Sequence, residues 1–306
     1  MGANSGRRLS KTTRQPEAFA GRRLTERSIG LIATIGRYRI VGTSALLRLA
    51  DGNEDVTHRH LQMLFHRNIV GRVRRPGNTR NTEFAYFLED SKETRAILND
   101  GRLHLDELRG AVGRRRITDN ASQLGRLLFI SHELMISDFH ADIEFAARES
   151  DERVQMEKWR QGTSTWDRVR ERCGDGMLPH RPDAYCVLRF PTAAPGQQLS
   201  RFFYEADRGT TSTARFRAKL EAYLSFFLSG RYREQYGAER VRAILIETIN
   251  EARRQQLMAV AADLAGAEPL ASMLFWFATS GSLRKQSGFA AAWSTPSDVR
   301  LRSLLD

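Results

Sequence analysis

Three carboxylates stand where a chain of this pattern has to turn. Asp183 follows Arg181-Pro182 and precedes an apolar, β-prone run at 184–188. A polar loop, 191–200, leads to a second such run at 202–207, which closes on Tyr204-Glu205-Ala206-Asp207 before Arg208-Gly209-Thr210. Alternation along a strand puts Phe203, Glu205 and Asp207 on one face. Two strands joined by one loop are expected to pair, which brings Asp183 close to Glu205 and Asp207. An oxygen-rich group of this kind suits Mg2+ or Mn2+, with Asp183 and Glu205 as the expected metal ligands. A metal there polarises a phosphodiester and lowers the pKa of a bound water. Lys219, one turn before Tyr223 on the helix that should follow, can lean back to orient that water or balance developing charge. The same types also build a structural ion-pair network of Glu205, Asp207 and Arg208, and spacing leaves both arrangements open.

The elements that must hold these residues are legible as periodicities. A helix capped somewhere in 210–213 runs to Leu228, with Phe216, Leu220, Tyr223, Leu224 and Phe227 as its buried stripe. A buried strand is expected at 241–248, a helix at 251–264 and a further strand at 272–277. Upstream, 121–149 has the pattern of a long amphipathic helix whose apolar faces include Leu124, Leu127, Leu128, Leu134, Phe139 and Phe145. It carries His132 and Glu144, which gain chemical interest only if the helix lies beside the carboxylates. The order predicts a mixed sheet flanked by helices over 121–306. Residues 91–120 read as a charged connector, and Arg114-Arg115-Arg116 within it is either a phosphate contact or a solvated run.

The charge is concentrated elsewhere. Residues 1–80 hold sixteen Lys and Arg against five Asp and Glu, a net of +11 out of +12 for the chain. A polyanion is the expected partner of that quarter. After a basic arm at 1–20, expected to be disordered, residues 21–90 predict a winged helix-turn-helix. Thr25 can cap a first helix containing Ile29, Ile32 and Ile35. Thr43 can cap a second containing Leu46, Leu47 and Leu49, and a third runs from about Asp55 to Asn68 with Leu61, Leu64 and Phe65 inward. Its outer face would carry His58, Arg59, Gln62, His66 and Arg67, side chains that read base edges or grip phosphates. Two strands around Pro76-Gly77-Asn78 form a wing, with Arg72, Arg74, Arg75 and Arg80 able to reach the backbone of double-stranded DNA. No carboxylate or cysteine joins His58, His60 and His66, so they read as exposed polar residues and not as a metal site.

Composition excludes other classes. No run approaches the ~18 apolar residues of a membrane span, and the basic, polar start lacks the apolar core of a secretory signal. Two cysteines, Cys173 and Cys186, without a CxxC pair fit a reduced, cytoplasmic setting and argue against a zinc module.

Arg181-Pro182-Asp183, then Phe203-Tyr204-Glu205-Ala206-Asp207-Arg208-Gly209-Thr210, then Lys219 and Tyr223, resemble the replication-relaxation family of plasmid and mobile-element proteins. Leu24-Thr25-Glu26-Arg27, the Tyr38-Arg39 link and Ser131-His132-Glu133-Leu134 are similar to it as well, so the resemblance covers about residues 22–260. It implies an α+β chain: a DNA-binding winged helix followed by a restriction-endonuclease-like domain. Members are linked to plasmid replication, DNA relaxation and conjugative mobilisation, and some nick DNA as relaxases. In the related nuclease pattern Asp183 matches the first acid and Glu205 the second. Asp207 stands where the lysine is expected, Lys219 is the candidate for a displaced lysine, and His132 or Glu144 for the helix-borne group such sites often add. The resemblance thus implies catalytic Asp183, Glu205, Asp207, Lys219 and His132. Two functions stay open: a metal-dependent nickase or relaxase, and a non-catalytic replication accessory or transcriptional regulator with a degenerate nuclease-like domain. A tyrosine relaxase using Tyr204 or Tyr223 lacks the histidine cluster it would need nearby. Replication or mobilisation proteins are further expected partners, a membrane is not, and the sequence leaves room for a homodimer.

Overall fold

The structure is a computed structural model that describes residues 13–19, 21–50, 52–76, 83–99, 122–172, 174–237, 240–285 and 288–306. The chain divides into two compact units, Met1–Asp138 and Phe139–Asp306. Both combine helices and sheet, and the larger sheet is mixed, with seven strands.

In the first unit three helices precede a hairpin. Helix α1 (Glu26–Tyr38) starts at Thr25, whose side chain accepts from the Ser28 N–H. A two-residue strand β1 (Val41–Gly42) leads to α2 (Thr43–Leu49) and α3 (Glu54–His66), the last capped by Asn53. Strands β2 (Val70–Arg74) and β3 (Phe84–Leu88) pair antiparallel, and β1 adds on the far side of β3. Ile32, Ile35, Leu46, Leu61, Leu64 and Val70 are fully buried. Helix α4 (Lys92–Asn99) follows. The turn of the hairpin, with Arg80, and Arg114 to Arg116 lie outside the described residues.

Two details differ from expectation. Thr43 is the first helical residue of α2, and Gly42 is the cap; the Thr43 hydroxyl is spent on the Phe84 carbonyl at 2.9 Å, tying α2 to β3. His66 is not on the outer face of α3 but buried, because the segment before α1 folds back over the end of that helix. Its ring stacks on Phe19, and Nδ1 accepts from the Gln15 N–H at 3.0 Å.

Helix α5 (Gln123–Arg148) belongs to the first unit up to Asp138 and to the second from Phe139. Leu124, Leu127 and Leu128 at its start are exposed, not packed as expected, whereas Leu134, Phe139 and Ile143 are buried.

In the second unit, β4 (Gln155–Gln161), the hairpin β5 (Asp167–Arg170) and β6 (Met177–His180), then β7 (Ala184–Arg189) and β8 (Leu199–Asp207) precede α6 (Thr213–Leu228) and α7 (Arg231–Tyr236). Then come β9 (Ala243–Thr248), α8 (Glu251–Ala267), α9 (Leu270–Leu274), β10 (Phe275–Thr279), α10 (Ser280–Leu283), β11 (Trp293–Thr295) and β12 (Asp298–Arg302). The sheet order is β12-β11-β10-β9-β8-β7-β4, with β8, β9 and β10 parallel and the flanking strands antiparallel. Residues 272–274, expected in a strand, end helix α9; Pro269 sets a helical φ before a run of helix-tolerant residues, and the strand starts at Phe275.

Helices α6 and α8 cover one face, where Phe203, Ile244, Ile246, Phe275 and Phe277 meet Phe216, Tyr223, Leu257 and Ala261. The other face receives α5: Phe139 stacks on Tyr204 with ring centroids 4.2 Å apart and meets Trp293 edge-on. The β5–β6 hairpin packs Val169 and Leu178 into the α6 side. Among the described residues no helix is long and apolar enough to cross a membrane.

His180, at the end of β6, is 1% exposed, stacks on Phe226 at 4.0 Å, and neither ring nitrogen has a hydrogen-bond partner among the described residues. Burial depresses its pKa from 6.5 to about 3, against the raising pull of Asp167. A depressed base binds its proton only on unfolding, so the stability it contributes is present above pH 6.5 and is lost as the pH falls toward 3. Acid titration of the unfolding midpoint should reveal at most about 5 kcal/mol of such loss, and His180→Phe should flatten it; an acid limb unchanged in that variant would show that His180 is not its source.

Candidate functional site

The acidic ends of β7 and β8 come together as the spacing predicts. Ala184 pairs with Tyr204 in the antiparallel register, so Asp183 stands one residue beyond that pair on one strand and Glu205 on the other. Asp183 is half-buried, and its Oδ2 accepts from the Ala206 N–H at 2.9 Å, which pins the carboxylate to the β8 edge. Glu205 is 3% exposed and points toward α6. Its Oε2 bonds the Lys219 ammonium and its Oε1 accepts from the Tyr223 hydroxyl at 2.6 Å. Lys219 and Tyr223 are four apart on α6, one above the other on the helix face turned to the sheet.

Burial pushes the Glu205 carboxyl up to about 8, with the Asp183 charge adding to the rise and Lys219 opposing it. Burial works against a charged Lys219, but the Glu205 and Asp183 charges outweigh it and raise its pKa. The ammonium and the two carboxylates therefore depend on one another: each charge is tolerated in this buried place because its opposite stands beside it.

Asp207 has a different role. Arg253, on the first turn of α8, clamps it through two hydrogen bonds of 2.9 and 3.0 Å, and Thr248 donates to it from β9 at 2.9 Å. The Gly209 N–H donates to the same carboxylate, and Gly209 has φ +73°, where an added Cβ would sit 2.9 Å from Ile249. The Gly209-Thr210 turn thus serves a loop that wraps a buried acid. Arg208 bonds neither carboxylate: the ion pairs that form are Glu205 with Lys219 and Asp207 with Arg253. The sequence does not mark Tyr223 and Arg253 as polar partners; the one signal is that a buried carboxylate at a strand end must be paired or hydrogen-bonded.

His132 lies in the first unit, with its ring 3.9 Å from Glu133. Glu144, on α5, pairs with Arg148 and sits near His140.

On the first unit, His58, Arg59 and Arg74 are exposed and Gln62 is half-buried. Three further arginines of the expected DNA-binding surface have partners within the unit. Arg67 pairs with Glu93, Arg75 with Asp138 and Glu83, and Arg72 lies over the Phe65 and Phe84 rings. His60 shares a 2.8 Å hydrogen bond with Ser28.

Asp183 and Glu205 offer two neighbouring oxygen donors of the kind a hard cation takes. A cation held there would have to compete with Lys219 for Glu205, and among the described residues no group of three or more His, Cys, Asp or Glu surrounds one point.

These features define an α+β protein with an acid–lysine cluster at the strand ends of a mixed sheet. A family model described as replication-relaxation matches residues 32–241, and the chain belongs to that family. Membership points to a role in plasmid or mobile-element replication or mobilisation. No curated protein and no solved structure matches the chain.

The Asp207–Arg253 pair, 5% and 10% exposed at its side chains, is testable by itself. Arg253→Ala leaves a buried carboxylate without its counter-charge and should cost about 3–5 kcal/mol in denaturant unfolding; an unchanged midpoint would refute the clamp.

Proposed function

We propose that this protein binds duplex DNA through a winged helix-turn-helix in its first unit and nicks a DNA strand at the Asp183–Glu205–Lys219 cluster of a nuclease-like second unit. It would act on plasmid or mobile-element DNA in the cytoplasm. The observation that carries the proposal is the Lys219 ammonium bonded to Glu205 directly beside Asp183. This matches the two acids and one lysine of the nuclease pattern, with the lysine supplied by α6 instead of β8. Asp207, which occupies the lysine's usual place, is held by Arg253 and steadies the strand end.

Asp183 and Glu205 would hold the Mg2+ or Mn2+, which when bound supplies Lewis-acid activation of the phosphodiester and of a water. Lys219, a third exposed, would face the negative charge that builds on the phosphate. Tyr223 holds Glu205 in place from within the core. In the first unit, His58, Arg59 and Gln62 of α3 and Arg74 of the hairpin would meet the duplex. The engagement of Arg67, Arg72 and Arg75 assigns those three to shaping that surface.

A second function is favoured by one fact: both Glu205 oxygens are already bonded, to Lys219 and to Tyr223. A cluster closed in that way suits a non-catalytic replication accessory or regulator.

Two experiments separate these. Arg59→Ala with Arg74→Ala should weaken duplex binding and make its log–log salt dependence shallower by about 2; unchanged binding would remove the winged-helix assignment. Asp183→Ala and the isosteric Glu205→Gln should each reduce Mg2+-dependent nicking of supercoiled cognate plasmid at least about a hundredfold while circular dichroism is kept. A wild type that never nicks across Mg2+ and Mn2+ would establish the accessory role.

A further inference from the structure

The β5–β6 hairpin has an inner face that the core uses and an outer face that it does not. Val169 and His180 are buried and Leu178 is half-buried, while Trp166, Arg168, Arg170, Met177, Pro179 and Arg181 are exposed in strict alternation. The register pairs Arg168 with Pro179 and Arg170 with Met177, so the next step outward sets Trp166 opposite Arg181. The Arg181 guanidinium lies over the Trp166 ring, 4.9 Å from its centroid, and the indole is still 41% exposed. Among the described residues Arg168, Arg170 and Arg181 form no ion pair, unlike Arg172, which pairs with Glu268. An exposed aromatic ring among cations without acidic partners is complementary to a chain of bases and phosphates.

The position of this face is specific. Arg181 is two residues from Asp183. The Thr165 hydroxyl, next to Trp166, donates to the Pro182 carbonyl at 2.8 Å in a buried hydrogen bond. Both ends of the platform are therefore fastened to the loop that delivers Asp183.

We propose that this outer face is a binding platform for single-stranded DNA, with one base stacked on Trp166 and Arg181 and backbone phosphates at Arg168 and Arg170. Bases of an intact duplex are stacked on each other and offer no free face to an indole, whereas an opened strand does. The guanidinium plane of Arg181 extends the stack instead of blocking it. The platform gives the Asp183–Glu205 cluster a means of holding the strand it acts on, and in that respect it rests on the DNA-processing function proposed above.

The test uses the full chain and fluorescence anisotropy with a labelled oligothymidylate of about 20 nucleotides and a duplex of equal length. Trp166→Ala should weaken oligothymidylate binding about tenfold or more, Trp166→Phe should keep most of it, and neither should alter duplex binding. Arg168→Ala with Arg170→Ala should weaken oligothymidylate binding and make its salt dependence shallower. Trp166 is the one exposed tryptophan of the four, so oligothymidylate should quench wild-type tryptophan emission and fail to quench that of Trp166→Phe. Wild-type affinity in Trp166→Ala, or an equal loss for duplex, would overturn the platform while leaving the cleavage cluster untouched. A wild type that binds neither DNA would overturn both.

Discussion

A carboxylate has been placed where water does not reach, at the end of a central strand, and much of the second unit is arranged to make that tolerable. Glu205 cannot keep a charge in this position unassisted, since an isolated buried carboxylate neutralises itself. Its compensation comes from α6, which brings Lys219 and Tyr223 to it from a single face. That in turn fixes how α6 lies on the sheet. Phe216, Leu220 and Leu224, on the same side of the helix, then enter the core with Phe203. Asp207, two residues on, repeats the solution with α8 and Arg253. The two crossover helices are thus tied to one strand by opposite charges as well as by apolar packing. Breaking such a pair costs more than the pair contributes, because the remaining charge stays buried.

The β7–β8 pairing, its acidic ends and helices α6 and α8 were legible from the sequence because they are written in strong periodicities. The β7 and β8 runs are apolar and bounded by turns, and the α6 stripe is clear. The seven-strand extent was not legible. β4 reads Gln155-Met156-Glu157-Lys158-Trp159-Arg160-Gln161, a polar edge strand whose charges hide its alternation, as edge strands require. β11 has three residues, too few to carry a period. The Asp183–Glu205–Lys219 convergence was readable from spacing. The Arg253 clamp was not, because it joins residues 46 apart through a crossover. His66 was misplaced for a related reason: its partners, Phe19 and Gln15, come from a polar segment with no periodicity of its own.

Arginine is the commonest cation in the candidate surfaces, yet its count overstates what is available to a ligand. Arg67, Arg75 and Arg253 are held by acids, and Arg72 lies on aromatic rings. Among the described residues of these surfaces, Arg59, Arg74, Arg168, Arg170 and Arg181 face solvent without an acidic partner. They divide between the first unit and the β5–β6 hairpin of the second. A net charge of +11 in the first 80 residues marks one of these surfaces alone. The hairpin is silent in such a sum because Asp167, Glu171 and Asp175 interleave with its arginines and bring it close to neutral.

A cleavage centre at Asp183 and Glu205 requires that a divalent cation and the Lys219 ammonium compete for one carboxylate. The most direct measurement is a calorimetric titration of Mn2+ into the full chain, wild type beside Lys219→Met. A single site that binds more tightly once the ammonium is gone, and that Asp183→Ala removes, is the predicted result. No binding in either protein, or binding indifferent to Asp183, would contradict it.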